Sequence, residues 1–278
     1  MSYKTILVHC DASPRLAHRL AVAVELAQRF GARLVGGYVQ QPFDVPAFFD
    51  GTLPTDDLFT SYEAAAKRDE GTARAAFDRA VKGSALQVEW RLSNGYPENE
   101  LAVQARYADL LVLDQAEPES EVATPADLPE SVALSTGRPT LVVPHIGVRT
   151  RPGKSVMLCW NASRESVRAA SDAMPFLAAA EKVIVLVIDA EVSPRGHGAE
   201  PGADAARWLT PHGVKAVVQR DVAADSDVGS VILSRAADHD VDLVVMGLYG
   251  HSRLREMVLG GASRTVLSSM TVPILMAH

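Results

Sequence analysis

Long apolar runs are missing from this sequence, and so are most of the motifs that announce an enzyme. No stretch approaches the roughly 18–20 apolar residues needed to cross a bilayer, and the first ten residues read as the approach to a strand rather than a secretory leader. The compartment expected by default is the cytoplasm. Only two cysteines occur, Cys10 and Cys159, with no Cys-x-x-Cys spacing, which excludes a disulfide scaffold and a redox dithiol. Both are expected to be small reduced hydrophobes at strand ends. The histidines do not fall at metal-ligand spacings, so no metal site is expected. There is no Gly-x-x-x-x-Gly-Lys-Ser/Thr loop, no Gly-x-Gly-x-x-Gly after the first strand, and no nucleophile elbow. No catalytic residue is nominated.

What is present is an ordinary globular composition: 278 residues, 47% hydrophobic and 22% charged, a length that suits two domains better than one core. The 27 basic and 34 acidic residues leave a net charge of −7. Such a field repels nucleic acid and anionic membranes, so neither is an expected partner. An anionic ligand would need a local device.

The same plan is written twice. Thr5-Ile6-Leu7-Val8-His9-Cys10-Asp11-Ala12-Ser13 is an apolar run of strand length followed by a polar, helix-capping cluster. Its near copy is Ser155-Val156-Met157-Leu158-Cys159-Trp160-Asn161-Ala162-Ser163, with Asp11 matching Asn161 150 residues later. Helical periods follow each copy, through Leu16, Leu20, Ala23, Ala27 and Phe30 in one and Val167, Ala170, Met174 and Leu177 in the other. Further strands are expected over 33–39, 86–92 and 108–113, then 182–188, 214–219 and 241–246, with helices over 58–82, 97–107, 204–210 and 227–239. Residues 139–144 and 272–277 close the halves as final strands, and such edges seek partners. Residues 40–60 read as a long connection and 148–153 as the linker. The domains expected are 1–147 and 154–278. Val-, Ile- and Leu-rich strands alternating with helices predict an α/β fold: two Rossmann-like domains, each a five-stranded parallel sheet with helices on both faces. Ligands in such sheets sit beyond the carboxyl ends of the strands, where strand order reverses.

The sharpest feature lies after the fourth strand of the second half. Gly247 and Gly250 are expected to turn with positive φ and let backbone approach a ligand. Gly260-Gly261-Ala262-Ser263 then opens the last helix, whose amides and positive end suit a phosphate. Between Gly247 and Ser269 the charged residues are Arg253, Arg255, Arg264 and Glu256, a local +2 in an acidic chain. A helix dipole alone contributes about 0.3–1 kcal/mol, so several converging amides are needed.

Gly247, Gly250 and Gly260 keep the spacing Gly, two residues, Gly, nine residues, Gly. With the duplicated openings and the closing Val272-Pro273-Ile274-Leu275-Met276, the chain resembles the universal stress protein family, as a tandem two-domain member. The resemblance implies a stress-response sensor or regulator holding ATP or a related adenine nucleotide, with or without magnesium. Carried over by position, Trp160 and Asn161 would lie by the adenine and ribose, and the backbone near Val187 by the adenine edge. Gly247, Gly250, His251, Gly260, Gly261, Ala262 and Ser263 would hold the phosphates. Asn161 replaces the family's Asp, and Gly261 its Ser or Thr, with Ser263 placed to supply the missing hydroxyl. The resemblance also implies an intramolecular pseudo-dimer and an unidentified protein partner, and leaves a homodimer open. Two alternatives stand beside the sensor: an interaction module without nucleotide, working through dimerisation or clients, and a slow ATP hydrolase.

The first half has no such loop. Asp114-Gln115-Ala116-Glu117-Pro118-Glu119-Ser120-Glu121 places four carboxylates where phosphates would lie, and like charges there repel by about 1 kcal/mol per pair even in water. No nucleotide triphosphate is expected in this half, Asp11 is expected to cap a helix, and a change at Gln115 is expected to leave binding unaffected.

Overall fold

The structure, a computed structural model, describes residues 2–43, 56–116, 127–148, 151–190, 192, 197–248 and 261–278. In chain order the first half comprises β1 (Thr5–Cys10), α1 (Leu16–Phe30), β2 (Arg33–Gln40), α2 (Asp56–Val81), β3 (Val88–Asn94), α3 (Pro97–Ala105), β4 (Leu110–Asp114), α4 (Leu128–Thr136) and β5 (Thr140–Val143). The second comprises β6 (Ser155–Cys159), α5 (Arg164–Asp172), α6 (Met174–Leu177), β7 (Lys182–Ile188), α7 (Ala203–Leu209), β8 (Ala216–Asp221), α8 (Val228–Asp238), β9 (Leu243–Gly247), α9 (Ala262–Ser269) and β10 (Ile274–Ala277). No helix among the described residues is long and apolar enough to cross a membrane.

Local chemistry sets many of these boundaries. Gly31 and Gly137 end α1 and α4 in the left-handed conformation, at φ 61° and 66°, which a residue with a Cβ adopts at a cost. Ser163 caps α5 by accepting the Ser166 amide, and Asp227 caps α8 by accepting those of Gly229 and Ser230. Pro97 opens α3, where its missing N–H costs nothing, with Glu98 and Glu100 in the first turn.

All ten strands form one sheet in the order β3-β2-β1-β4-β5-β10-β9-β6-β7-β8. Within each half every pairing is parallel. The halves meet through the antiparallel pair β5 and β10, with Leu275 opposite Leu141. Strand residues alternate between two cores. Ile6, Val8, Val156 and Leu158 face α1, α2, α5, α6 and α7, whereas Leu7, Met157 and Val244 face α3, α4, α8 and α9. Both faces are thus covered, as a parallel sheet requires. The halves also lock together on one face, where Tyr3, Phe30 and Phe176 pack edge-to-face or tilted with ring centroids 5.1–5.7 Å apart and the Tyr3 hydroxyl donates to the Asp172 carbonyl at 2.7 Å.

Two expectations need correction, the starts of the third strands and the helical face after β6. The third strands begin two residues later than their apolar runs, at Val88 and Ala216, where pairing with Leu34 and Val183 starts. Leu86 and Val214 are approach residues packed into the core, while the polar ends of these outer strands pair on one side and meet solvent on the other. Val167 is 46% exposed; the buried face of α5 runs through Glu165, Ser166, Ala169 and Ala170. Pro175, unable to donate back to the preceding turn, sits in the first turn of the separate short helix α6, so α5 stops at Asp172. Most of the long connection after β2 lies outside the described residues.

Leu275→Ala would remove a fully buried side chain from the joint between the halves. It should lower stability by about 2–5 kcal/mol, read as a lower urea midpoint.

Candidate functional site

The strand order reverses between β1 and β4 in the first half and between β6 and β9 in the second, so each half has a crevice beyond those carboxyl ends. The two crevices are built from equivalent positions and filled differently.

In the first, Arg19 projects from α1 between the strand ends and is 1% exposed. Its Nη2 donates to Asp11 Oδ1 at 2.9 Å, and its Nη1 to Asp114 Oδ2. Asp11 also accepts the Ser13 amide at 3.1 Å. His9 stands alongside, with Nδ1 3.9 Å from Asp11 Oδ2. Asp11 is therefore not a helix cap: α1 starts at Leu16, after Arg15, with no side-chain cap. The acidic stretch 117–121 lies outside the described residues.

One guanidinium cannot neutralise two buried carboxylates, so the cluster resists its second negative charge. Burial pushes the Asp114 carboxyl up to about 6, against the pull of Arg19 and with help from Asp11. Burial raises Asp11 as well, but Arg19, His9 and the bonds from Arg19 and the Ser13 amide outweigh it and hold Asp11 below its ordinary value. Burial lowers His9 to about 4. Arg19 stays charged: burial opposes this, and Asp11 and Asp114 override it.

In the second crevice, the position 150 residues after Arg19 is Ala169, fully buried, and the β9 residue standing where β4 has Asp114 is Gly247. No guanidinium or carboxylate occupies these positions. Asn161 is exposed and repeats the local turn of Asp11, its Oδ1 accepting the Ser163 amide at 3.2 Å. Trp160 is half-buried at the end of β6 and its amide donates to the Leu186 carbonyl at 2.8 Å. Val187 is fully buried in β7, its side chain in the core.

Gly247 ends β9 without a positive φ, which corrects that expectation. A Cβ there would fall 2.6–2.8 Å from Glu165 and Ser166, so the residue is glycine because the first turn of α5 lies against it. Gly261 caps α9 at φ −51°, and its carbonyl accepts the Arg264 amide at 2.9 Å. Ala262 is half-buried and Ser263 is 3% exposed. Gly250, His251 and Gly260 lie outside the described residues. The structure thus gathers Trp160, Asn161 and Gly247 at the carboxyl ends of β6 and β9, and β10 follows α9 in parallel with β9, which puts Gly261 to Ser263 at that same end of the sheet. Among the described residues no group of three His, Cys, Asp or Glu side chains could hold a metal ion.

Sequence reasoning missed Arg19, although a signal existed: an arginine three residues after Leu16 and beside Leu20 flanks the apolar stripe of α1. Cys10 and Cys159 are unpaired, as expected, and burial pushes both thiols up to about 12. A cavity of about 790 Å³ lined by Lys154, Glu181, Lys182 and Asp242 opens at the opposite, amino ends of the strands. Its charges already have partners: Lys154 pairs with Glu181, Lys182 donates to the His239 carbonyl, and Asp242 accepts the amides of residues 153–155.

A sequence model of the universal stress protein family matches residues 2–117 and again 153–278. Among solved structures, the chain is similar to a universal stress protein from Archaeoglobus fulgidus DSM 4304, at 14% identity over 98% of this chain and 95% of that one, with a TM-score of 0.73. It is similar also to a candidate universal stress protein from Pseudomonas aeruginosa UCBPP-PA14, at 15% identity over 99% and 93% of the two chains, with a TM-score of 0.57. A universal stress protein in complex with cAMP matches 51% of this chain over 98% of its own length, at 23% identity and a TM-score of 0.38. For the first two, at these identities, the likeness is one of fold. No curated protein matches the chain.

Arg19→Met should cost about 3–5 kcal/mol, because it leaves two buried carboxylates without their cation. Adding Asp114→Asn should return part of that loss; strictly additive effects in a double-mutant cycle would show that the two do not interact. The pH dependence has two opposed parts. His9, lowered to about 4 from 6.5, stabilises the fold when neutral, and this is lost as pH falls from 6.5 to 4. Asp114, raised to about 6 from 3.8, takes up a proton in the fold first, so its part improves as pH falls over nearly the same window. Asp114→Asn removes the compensating part. Its stability should fall more steeply than wild type between about pH 6.5 and pH 4, and parallel urea midpoints across that range would contradict this balance.

Proposed function

The chain belongs to the universal stress protein family, and from that premise we propose that it is a nucleotide-sensing stress protein with one working site, in residues 154–278. The ligand proposed is ATP or a related adenine nucleotide, with or without magnesium. The observation that carries the proposal is the contrast between the crevices. The first holds its own guanidinium between two carboxylates. The second has Ala169 and Gly247 at the corresponding places, with the N-terminus of an eight-residue helix opening at the same end of the sheet.

Each residue then has a role. Trp160 offers an apolar face to the base, the Val187 backbone meets the adenine edge, and Asn161 hydrogen-bonds a ribose hydroxyl. An amide in place of a carboxylate gives up charge assistance of about 1 kcal/mol, or roughly a fivefold rise in Kd. Gly247, Gly250, Gly260, Gly261, Ala262 and Ser263 supply backbone and hydroxyl donors to the phosphates, and His251 adds a side-chain contact. Binding orders the glycine loop against α9 and so changes the surface offered to a protein partner. Turnover is not required. The unpaired cysteines suit the reducing cytoplasm we propose as its setting.

Heat-denatured pure protein should release an adenine nucleotide, and calorimetric titration should show one site per chain. Gly250→Asp should abolish that binding by placing a carboxylate against the phosphates. Absence of released nucleotide together with no heat at millimolar ATP would sink the sensor reading in favour of the interaction module.

A further inference from the structure

The residue after Asp114 does something that its sequence context does not announce. Gln115 is 5% exposed and ties three elements together. Its amide donates to the Val143 carbonyl at 2.8 Å, and its Oε1 accepts the His145 amide at 3.0 Å. Its Nε2 crosses the joint between the halves and donates to the carbonyls of Leu267 at 2.8 Å and Ser268 at 3.0 Å. Those carbonyls belong to the last turn of α9, and the last four carbonyls of a helix have no intrahelical partner.

The rest of that helix end explains why a partner from the other half is needed. After α9 stands Met270 in an extended conformation, with no basic residue in the last turn and no left-handed glycine. The equivalent helix of the first half, α4, ends on its own glycine, Gly137. The repeat places Leu248 where the first half has Gln115, and Leu248 is fully buried in the core that includes Ala133 of α4. The chain therefore sets an apolar neighbour beside the helix that ends on a left-handed glycine, and a glutamine beside the one that does not.

We propose that Gln115 is a positioning residue for the nucleotide site of the other half: it caps α9 across the joint and thereby fixes the amides of Gly261 to Ser263 at the opposite end of the helix. Eight residues span about 12 Å, so a shift at the last turn carries to the first. The inference rests on the nucleotide reading above. It reverses the expectation that Gln115 is silent, and it gives the first half a task although its own crevice is closed.

The test uses the full chain with three substitutions. Gln115→Leu installs the residue found at the equivalent position. Gln115→Glu keeps the acceptor for the His145 amide but donates to α9 only when protonated; it also serves if the leucine variant does not fold. Val112→Ala destabilises β4 without touching α9. Amide exchange of residues 264–269 and the Kd for ATP are measured at pH 7.5 and 5.5, each against wild type at the same pH because Asp114 and His145 adjoin the site. Gln115→Leu should accelerate exchange in α9 and raise Kd about tenfold at both pH values. Gln115→Glu should do so at pH 7.5 and recover at pH 5.5, and Val112→Ala should do neither. Exchange in α9 no faster than in Val112→Ala overturns the inference, as does faster exchange with Kd within twofold of wild type. If wild type itself binds no ATP, the nucleotide reading fails first and takes this inference with it, a result visible before any variant is made.

Discussion

The antiparallel pairing of β5 with β10 is the constraint on which the rest depends. Each half-sheet alone would end in a largely apolar edge strand that is fully buried in the whole chain, a row of unpaired backbone groups in hydrophobic surroundings. Pairing the two edges satisfies those groups and merges two five-stranded sheets into one of ten. The outermost strands, β3 and β8, are accordingly half-exposed and more polar, as strands with one free edge should be. The joint also brings Tyr3 and Phe30 against Phe176 and Gln115 against α9, so contacts that pass between the halves exist only because these two short strands meet.

Duplication under that constraint leaves two crevices free to diverge. In the first, burying Arg19 between Asp11 and Asp114 is electrostatically demanding, because one cation serves two carboxylates in a site with little water. The arrangement holds because the guanidinium reaches both acids and His9 stays neutral. In the second, the same positions carry the small residues Ala169 and Gly247, and the glycine lets the first turn of α5 lie against the end of β9. A single substitution in either crevice would leave an unpaired charge or a steric clash, so conversion of one into the other requires several coordinated changes.

Much of the fold could be read in the chain. The repeated openings, the apolar strands and the matched endings led to the right element order, and they did so because parallel strands covered on both faces must be apolar along their whole length. Reading failed where that rule lapses: in β3 and β8, whose polar ends pair on one side only, and after β6, where Val167 of α5 turns outward and Pro175 opens the separate helix α6. The candidate site could be written from the chain only as a set of positions, and the fold brings Asn161, Gly247 and Gly261 to the same end of the sheet. The reason for Gly247 was not legible, because a glycine required by close packing and one required by positive φ look the same in one dimension.

By itself the sequence determined the duplication, the class of fold, the family resemblance and the asymmetry between a glycine loop and an acidic one, since all of these follow from composition, period and spacing along the chain. Only the tertiary structure decided which crevice is filled by its own arginine, and that Gln115 caps a helix 152 residues away. Both depend on side chains from distant segments converging in a buried space, where an unpaired polar group costs far more than it does in water. That cost acts in three dimensions and leaves no periodic mark on the chain.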